Sequence, residues 1–368
     1  DSLHLGHYSS LCMAKRLANA GHHPTLLCGG ATGRIGDPRP TAEREIISEE
    51  KVTANINGIR SQISRLVPTA ELVDNYDWMK GYEFLNFLRD IGKYINVNYM
   101  LDKDIIRRRL ETGITFAEFS YMLLQGYDFL HLFEAKNCIM QVAGSDQWGN
   151  ITTGVDLIRK KLDKTAYAFT MPLILDSTGK KFGKSEGNAL WLDKDKTSPY
   201  EIYQYLINTD DGKVEEYLKV FTFLSREEIE KIMAEQKEHP ETRVAQKTLA
   251  WEVVKDLHGK DEADNAVNVS VKLFQGDFSG LSVADIKTGM KSVPGFDLKE
   301  SSPLIDVLVN NKIASSRREA GEFLKANAIT VNGIVETDEN KVIGKDLAIG
   351  GEIVIIRRGK KKYYIGNC

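Results

Sequence analysis

With 368 residues and a formal charge of −3, the chain is too long for one ordinary domain and is expected to hold two or three. Hydrophobic residues make up 42% and charged residues 27%, which is typical of globular proteins and excludes disordered and membrane classes. No apolar run approaches the roughly 18 residues that a membrane-spanning helix needs, so a cytoplasmic protein is expected.

The first half of the chain predicts helices alternating with strands, the pattern of an α/β domain with a parallel sheet. Helical spacing covers residues 8–20, 84–92 and 115–133, and apolar strands are expected at 25–28 and 138–143. A glycine-rich loop follows the first strand at 29–38. It contains neither G-x-G-x-x-G nor a terminal G-K-[ST], so neither a dinucleotide fingerprint nor a P-loop is supported, and its glycines are expected to let the backbone pass close to a substrate.

The second half predicts a different organisation. Residues 199–280 lack strand runs and have helical spacing, whereas 281–301, with Gly, Ser and Pro, is typical of a linker. A small mixed module is expected at 302–368, with helices at 304–310 and 315–326 and strands at 329–331 and 353–356.

Cysteine usage and the start of the chain complete the outline. The four cysteines are widely spaced and form no C-x-x-C pair, so neither a zinc site nor a disulfide framework is expected, and no protein-bound metal is predicted. The chain opens at Asp1 without methionine, which suggests that an N-terminal segment is missing.

The first chemical motif is His4-Leu5-Gly6-His7, at the predicted start of a helix. Two histidines three residues apart lie on one helix face, near the positive end of the dipole. There both imidazoles can donate to phosphate oxygens, while Gly6 lets a flat base approach the backbone. Alone this motif is weak, since such a pair is more often structural.

The second motif is the basic segment Lys181-Phe182-Gly183-Lys184-Ser185, which follows the turn at 176–179. A lysine-rich segment is usually a solvated surface loop, and this one is predicted to be mobile with little apolar anchoring. The two motifs together, however, resemble the signatures of class I aminoacyl-tRNA synthetases. The resemblance implies a Rossmann-like, doubly wound catalytic domain in which His4, His7, Lys181, Lys184 and Ser185 act on ATP and stabilise charge on its phosphates.

A polar stripe on the predicted helix at 115–133 carries the finer resemblance. Tyr121, Gln125 and Asp128 stand at i, i+4 and i+7 among apolar neighbours. On pattern alone, a solvent-facing stripe is as plausible as a buried one. Together with the loop at 29–38 and Gly-Ser-Asp-Gln-Trp-Gly-Asn at 144–150, this helix makes essentially the whole chain resemble bacterial tyrosyl-tRNA synthetases.

That resemblance assigns roles position by position. It implies that Asp37, Tyr121 and Gln125 contact the substrate ammonium and that Asp128 accepts from the phenolic hydroxyl. It implies that the adenylate site contains Asp146, on the ribose, and Gln147, together with Gly6, His4, His7 and Lys184. Asp146 and Gln147 follow a strand's carboxyl end, where open α/β sheets place ligands.

Two departures from the family stand out. The family's segment before the histidine motif, which supplies a tyrosine to the substrate hydroxyl, is not seen here. The family also has a lysine between the aspartate of the glycine loop and a Glu-Arg pair. Here Arg39 is the candidate replacement for that lysine, and Arg44 keeps the second cation that contacts pyrophosphate or tRNA.

The tail is the basic end of the chain, since residues 302–368 hold 11 Lys/Arg against 8 Asp/Glu. Although a lone basic tail is more often merely solubilising, this one resembles an S4-type RNA-binding module. The candidate phosphate contacts are Arg317, Arg318, Lys325, Arg357, Arg358 and Lys360.

The sequence thus predicts a catalytic domain at 1–198 with a connective insertion at about 75–136, a helical anticodon-side domain at 199–280, a linker at 281–301 and an S4-like domain at 302–368. The implied substrates are tyrosine, ATP with its magnesium, and tRNA, and the family implies a homodimer. Two alternatives remain: the sister tryptophanyl enzyme, against which Asp128 and the tail argue, and a non-catalytic RNA-binding protein derived from a synthetase, against which the intact motifs argue.

Overall fold

The structure, a computed structural model, describes residues 2–37, 48–185, 188–359 and 362–368. The chain forms two compact units: Asp1–Thr197 with Asp210–Ala234, and Ser198–Thr209 with Glu235–Cys368. In the described parts of the chain, no helix is both long and apolar enough to cross a membrane.

The first unit is built from helices that alternate with short strands, which confirms the predicted α/β class. Its strands are β1 (Thr25–Cys28), β2 (Glu71–Asp74), β3 (Met140–Gly144), β4 (Tyr167–Met171), β5 (Lys184–Ser185) and β6 (Asn188–Ala189). Its helices up to residue 162 are α1 (Leu5–Asn19), α2 (Thr32–Ile35), α3 (Glu49–Leu66), α4 (Tyr76–Met79), α5 (Phe84–Asp90), α6 (Val97–Leu101), α7 (Asp104–Leu110), α8 (Phe116–Lys136) and α9 (Trp148–Leu162).

Parallel strand pairs set the position of the site. β1 pairs with β2 from Thr25 opposite Glu71, and β3 pairs with β4 from Met140 opposite Tyr167. Parallel neighbours place their carboxyl ends at the same edge, so the loops after β1 and β2 lie together. The predicted glycine loop follows β1 and contains one helical turn, α2, which the sequence analysis did not anticipate.

Helix α8 is the centre of the core in this unit. It begins where the Thr115 hydroxyl accepts from the Glu118 N–H at 3.3 Å, and it ends at Asn137 in the left-handed region. Met122, Leu130 and their apolar neighbours are buried among residues from α5 to α9. Since α8 is packed on most sides, its polar side chains are carried inward, and a solvent-facing stripe is excluded for Asp128, which is 1% exposed.

The second unit begins with helices. After residue 162 the helices in chain order are α10 (Pro199–Ile207), α11 (Asp211–Phe221), α12 (Arg226–Glu238), α13 (Val244–His258), α14 (Lys260–Gln275), α15 (Val283–Gly289), α16 (Leu304–Asn310) and α17 (Arg317–Lys325). Of these, α11 and α12 up to residue 234 belong to the first unit. Ser198 caps α10 and proline occupies its first turn, a favourable start. Helices α10, α13, α14 and α15 pack against each other.

The C-terminal strands form a five-stranded sheet in the order β10-β9-β12-β13-β7 and a separate β8-β11 pair. The strands are β7 (Gly295–Asp297), β8 (Ser302–Pro303), β9 (Ile329–Val331), β10 (Ile334–Val335), β11 (Val342–Ile343), β12 (Ile353–Arg358) and β13 (Lys362–Asn367). Leu304, Leu308, Leu324 and Ile356, each fully buried, join α16 and α17 to this sheet.

Two predictions about organisation need correction. Residues 281–301 are folded: they contain α15 and β7, and β7 pairs in parallel with β13 from Gly295 opposite Ile365. The segment at 210–234, predicted to lie in the helical domain, packs with the first unit, where Phe221 stacks on Phe182 with ring centroids 4.5 Å apart. The Gly, Ser and Pro content of a segment describes only that segment, whereas these two contacts are made with residues far away in the sequence. Composition therefore could not predict them. The functional roles of the predicted domains, catalytic at 1–198, anticodon-side at 199–280 and RNA-binding at 302–368, remain predictions.

Candidate active site

The histidine motif forms the N-terminal cap of α1. Nδ1 of His4 accepts from the Gly6 N–H at 3.1 Å, and Nδ1 of His7 accepts from the His4 N–H at 3.2 Å. The two rings stack with centroids 3.7 Å apart. Because each Nδ1 is an acceptor, each neutral ring carries its proton on Nε2 and can donate from there.

Burial and the neighbouring His4 lower the pKa of His7 to about 4. His7 is therefore neutral at physiological pH, and its Nε2–H can donate a hydrogen bond without bringing a full positive charge. Such a donor suits an oxygen that gains negative charge during a reaction.

The basic loop lies directly against the histidine motif. Gly183 has φ +84, and a Cβ placed on it would lie 2.5 Å from the backbone nitrogen of Gly6. The Gly183 carbonyl accepts from the Leu190 N–H at 3.0 Å, and the Leu190 carbonyl accepts from the Leu5 N–H at 2.7 Å. The two signatures, far apart in sequence, are thus joined by backbone contacts.

The prediction that this loop is poorly anchored is wrong for its first half. Phe182 is 3% exposed and packs against Tyr217 and Phe221, and its N–H donates to the Ile174 carbonyl at 3.0 Å. Lys181 pairs with Leu175 as an isolated bridge. The aromatic partners lie some distance along the chain, so local composition could not reveal them.

A hydrogen-bond network brings three of the predicted substrate residues together. Gln125 Nε2–H donates to Gln147 Oε1 at 3.1 Å, and Gln147 Nε2–H donates to Asp37 Oδ2 at 2.9 Å. Asn150 donates to Gln147 Oε1 at 3.0 Å and to Asp37 Oδ1 at 3.4 Å. Gln125 Oε1 is buried, and none of the described residues gives it a hydrogen bond. An unsatisfied buried acceptor beside the Asp37 carboxylate suits a ligand that carries an ammonium group.

Two further predicted residues flank this network. Tyr121 lies one helical turn before Gln125 on α8. Asp146 lies in the 3-10 turn Ser145–Gln147 that follows β3, and its Oδ2 is 3.5 Å from Gln147 Nε2. Asp146 is exposed, as expected for a residue that contacts a polar ligand group at the strand end.

Asp128 is buried on α8, and both oxygens of its carboxylate accept hydrogen bonds. Asn75 Nδ2–H donates to its Oδ2 at 3.0 Å, and Trp78 Nε1–H donates to its Oδ1 at 2.9 Å. The Asn75 amide is oriented in turn, because its Oδ1 accepts from the Ala31 N–H at 2.8 Å. Both carboxylate oxygens thus face donors, and in its ionised form this group can bind a ligand only by accepting a hydrogen bond from it.

Burial raises the pKa of Asp128 to about 7, although the hydrogen bonds from Asn75 and Trp78 act in the opposite direction. The negative charge of Asp74 also favours the protonated form. The charge state of this carboxyl group therefore changes near neutral pH.

Sequence reasoning missed Asn75, Trp78 and Asn150. A signal existed for Asn75, because it is a polar residue directly after the carboxyl end of β2. Asn150 lies inside the motif at 144–150, but its role was not assigned. No signal pointed to Trp78.

In the glycine loop, Gly30 lets the backbone pass close to another protein group, the Asp74 carboxylate. The Gly30 N–H donates to Asp74 Oδ1 at 3.0 Å, and a Cβ on Gly30 would lie 2.2 Å from that oxygen. Glycine is needed here because the Asp74 carboxylate occupies the place of a side chain.

Several predicted residues lie outside the described structure. Arg39, Arg44 and Lys360 fall in the gaps of the described ranges, and only the backbone of Lys184 and Ser185 is described.

The basic residues of the tail differ in how they are engaged. Arg318 is 89% exposed at its side chain, 3.4 Å from Glu322, and Lys325 is exposed. Arg317 pairs with Asp306. Arg357 and Arg358 are half-buried, and Arg358 donates to the carbonyl of Ile313 while its guanidinium lies over a phenylalanine ring. Arg318 and Lys325 are therefore the better-placed candidates for phosphate.

Two known family models match consecutive parts of the chain. Residues 1–275 match the family described as tRNA synthetases class I (W and Y), and residues 285–365 match the Tyrosine--tRNA ligase SYY-like C-terminal domain. The chain is 47% identical to the Tyrosine--tRNA ligase of Streptococcus agalactiae, over 100% of this chain and 90% of that protein. It is likewise 47% identical to the enzyme of that name from Bacillus velezensis, over 99% of this chain and 89% of that protein.

A solved structure is also similar: that of a C-terminally truncated mitochondrial tyrosyl-tRNA synthetase from Aspergillus nidulans. It matches with a TM-score of 0.67 and 37% identity, over 74% of this chain and 82% of that one.

Proposed function

The chain belongs to the bacterial-type tyrosyl-tRNA synthetases within class I, and we propose that the site described above performs their reaction. As a tyrosine–tRNA ligase, it activates tyrosine with ATP to tyrosyl-adenylate and pyrophosphate, then transfers tyrosine to the 3′ end of tRNA. Tyrosine recognition, adenylate formation and tRNA binding each draw on a different group of residues.

Tyrosine recognition rests on Asp128, and this is the observation that carries the proposal. Its buried carboxylate receives one donor on each oxygen, so its remaining lone pairs can accept only from another donor, as the phenolic hydroxyl is. Phenylalanine would bring no donor to these remaining lone pairs of the buried carboxylate, so it forgoes a hydrogen bond to a charged group. At the other end of the substrate, Asp37, Gln125 and Tyr121 bind the ammonium group, with Gln147 linking them to the adenylate site.

Activation needs charge stabilisation rather than a covalent enzyme intermediate. A carboxylate oxygen of tyrosine forms a bond to the α-phosphorus, and the bond from that phosphorus to pyrophosphate breaks. The Nε2–H donors of His4 and His7 and the cations Lys181 and Lys184 stabilise the negative charge that develops on the phosphates. Ser185, in the same loop, is assigned to the same step. Gly6 leaves room for the adenine base, Asp146 binds the ribose, and magnesium arrives with the ATP phosphates.

The amino acid specificity is tested by pyrophosphate exchange into ATP, measured with each of the twenty amino acids. Exchange that depends on tyrosine is expected. Exchange with tryptophan instead would support the sister enzyme, and absence of exchange with every amino acid would support the non-catalytic alternative.

The pH dependence of tyrosine activation should report Asp128. As pH falls through about 7, the raised pKa means that the carboxylate gains a proton and loses part of its capacity to accept. We expect kcat/KM for tyrosine to fall on the acid side, approaching about tenfold per pH unit, while KM for ATP stays constant. Exchange rates measured at a series of pH values check this, and a flat profile across the neutral range would contradict it.

Transfer to tRNA involves the C-terminal module. We propose that Arg318 and Lys325 contact phosphates, as does Lys360. The other basic residues contribute through those N–H groups that do not already bind the protein; these residues are Arg317, Arg357 and Arg358. Arg39 and Arg44 are assigned to pyrophosphate or the end of the tRNA, on the basis of the family resemblance alone.

Reversing both exposed charges, in Arg318→Glu with Lys325→Glu, should raise KM for tRNA at least tenfold and leave tyrosine-dependent exchange unchanged. If two phosphate contacts are lost, the slope of log affinity against log salt should become shallower by about 1.5. Binding titrations at several salt concentrations measure this. The double variant Lys93→Glu with Lys164→Glu, at two exposed positions outside the segments assigned to RNA, is the control. An unchanged slope in the tail variant would argue against RNA contacts there.

We further propose that the enzyme is a cytoplasmic homodimer. The connective insertion exposes large apolar side chains, with Phe84 at 63%, Leu85 at 76% and Phe116 at 68% exposure. Some of these residues line an apolar groove of about 300 Å³. Clusters of exposed apolar residues usually mark an interface, and a second copy is the partner expected from the family.

Phe116→Asp should convert the dimer into a monomer, because a charge would be buried in an apolar interface. Sedimentation equilibrium should show the mass fall by half. Ile334→Asp, at another exposed apolar position of 75% exposure, is the control. A wild-type chain that is already monomeric would refute the proposal.

A further inference from the structure

Trp78 is held at two points by the same helix. Its indole N–H donates to Asp128 Oδ1 at 2.9 Å, and its ring stacks on His131 with centroids 4.5 Å apart and planes 17° apart. Asp128 and His131 are three residues apart on α8, so they project from the same helix face. The acceptor and the stacking partner of Trp78 are therefore fixed relative to one another.

The element that carries Trp78 cannot orient the indole by itself. Helix α4 is a single turn, Tyr76–Met79, and no side chain in the described part of the chain caps it. Trp78 is only half-buried, so one face of its ring depends on what packs against it. His131 supplies that contact: offset or parallel stacking of flat rings at this distance restricts rotation of the indole.

The surroundings of His131 keep it uncharged. Burial lowers the pKa of His131, assisted by Lys136 and opposed by Glu134. Two aromatic rings lie beside it: Trp78, and Tyr127, whose ring centroid is 6.1 Å away. At neutral pH the stack is therefore between two neutral rings. His131 places no positive charge near the Asp128 carboxylate.

We propose that His131 is a positioning residue for tyrosine recognition: by stacking on Trp78, it keeps the indole N–H on Asp128, so that the free lone pairs of the carboxylate stay directed at the phenolic hydroxyl. His131 itself touches no substrate. The inference rests on the proposed function, because His131 acts through Asp128. Behind the phenolic hydroxyl would then come Asp128, Trp78 and His131, each orienting the group before it.

A double-mutant cycle on the full chain separates this role from general packing. His131→Ala should lower kcat/KM for tyrosine by about tenfold, since a hydrogen bond to a charged group is loosened, and should leave KM for ATP unchanged. Trp78→Phe removes the N–H while keeping a ring, and should lower kcat/KM for tyrosine at least as much. Because His131 works through that N–H, the double variant should be no worse than Trp78→Phe alone.

His131→Phe, which retains a flat ring, should recover most of the activity, and Glu134→Ala, one turn away on the exposed side of α8, should behave as wild type. If His131→Ala folds poorly, His131→Leu fills the space without an aromatic face and takes its place in the cycle. Thermal unfolding of each variant identifies those that are folded.

Three results would overturn the inference. They are an unchanged kcat/KM in folded His131→Ala, effects of the two single variants that multiply in the double variant, and equal losses for tyrosine and ATP. Failure of the proposed function is distinct, because it would appear as missing tyrosine-dependent exchange in the wild-type protein.

Discussion

Asp128→Asn is expected to lower kcat/KM for tyrosine about a hundredfold while leaving KM for ATP nearly unchanged. Both carboxylate oxygens accept from protein donors, one from Asn75 and one from Trp78. An amide at this position has one NH₂ group, which must face one of these donors and break that hydrogen bond. The phenolic hydroxyl also loses a charged acceptor, and hydrogen bonds to charged groups account for a loss of this size.

Single-turnover adenylate formation at varied tyrosine concentration, with ATP saturating, measures this effect. Glu134→Gln, which removes an exposed carboxylate from the same helix, is the matched control and should be silent. The acid limb of the pH profile should disappear in Asp128→Asn. Normal tyrosine activation by the variant would mean that Asp128 does not recognise the phenol.

Gly183→Ala is expected to reduce the rate of adenylate formation a hundredfold or more. The new Cβ would lie 2.5 Å from the Gly6 nitrogen and 3.0 Å from the carbonyl carbon of Leu5, backbone atoms that cannot move without displacing the cap of α1. The basic loop would have to separate from the histidine motif, and small displacements of catalytic groups carry large kinetic costs. The positive φ of +84 adds strain to any side chain.

Gly179→Ala provides the comparison that isolates the clash. Gly179 has a similar φ of +82, but no atom of the described residues lies within 4 Å of a Cβ placed there. Both variants therefore share the backbone strain, of about 1 kcal/mol, and both should lose a little thermal stability. Only Gly183→Ala should lose activity. Equal rates in the two variants would show that the contact between the loop and α1 is not needed for chemistry.

Local patterns were sufficient wherever structure depends on neighbours in sequence. The strand at 25–28 and the helix at 304–310 were predicted with the bounds that the structure has, because an apolar run or helical spacing is interrupted there by residues that favour turns or helix starts. The motifs at 4–7 and 181–185, each weak alone, were recognisable because together they resemble the two signatures of class I aminoacyl-tRNA synthetases.

Predictions failed where partners come from distant segments. The loop at 181–185 looked unanchored, since its aromatic partners Tyr217 and Phe221 are contributed by α11. The segment 281–301 looked like a linker, since the pairing of β7 with β13 joins residues near 295 and 365. Composition in a short window carries no information about such contacts.

The sequence by itself predicted the α/β class from its alternating helices and strands, and its motifs resembled one family closely enough to identify it. That resemblance, rather than spacing alone, supplied the identities of most residues proposed to meet substrate. Only the tertiary structure decided how they are held. It showed that His4 and His7 share a cap that directs their protons to Nε2, that Gly183 touches Gly6, and that Asp128 is enclosed by Asn75 and Trp78. Most of these relations depend on contacts between segments tens of residues apart, which form only when burial brings the helices and strands together.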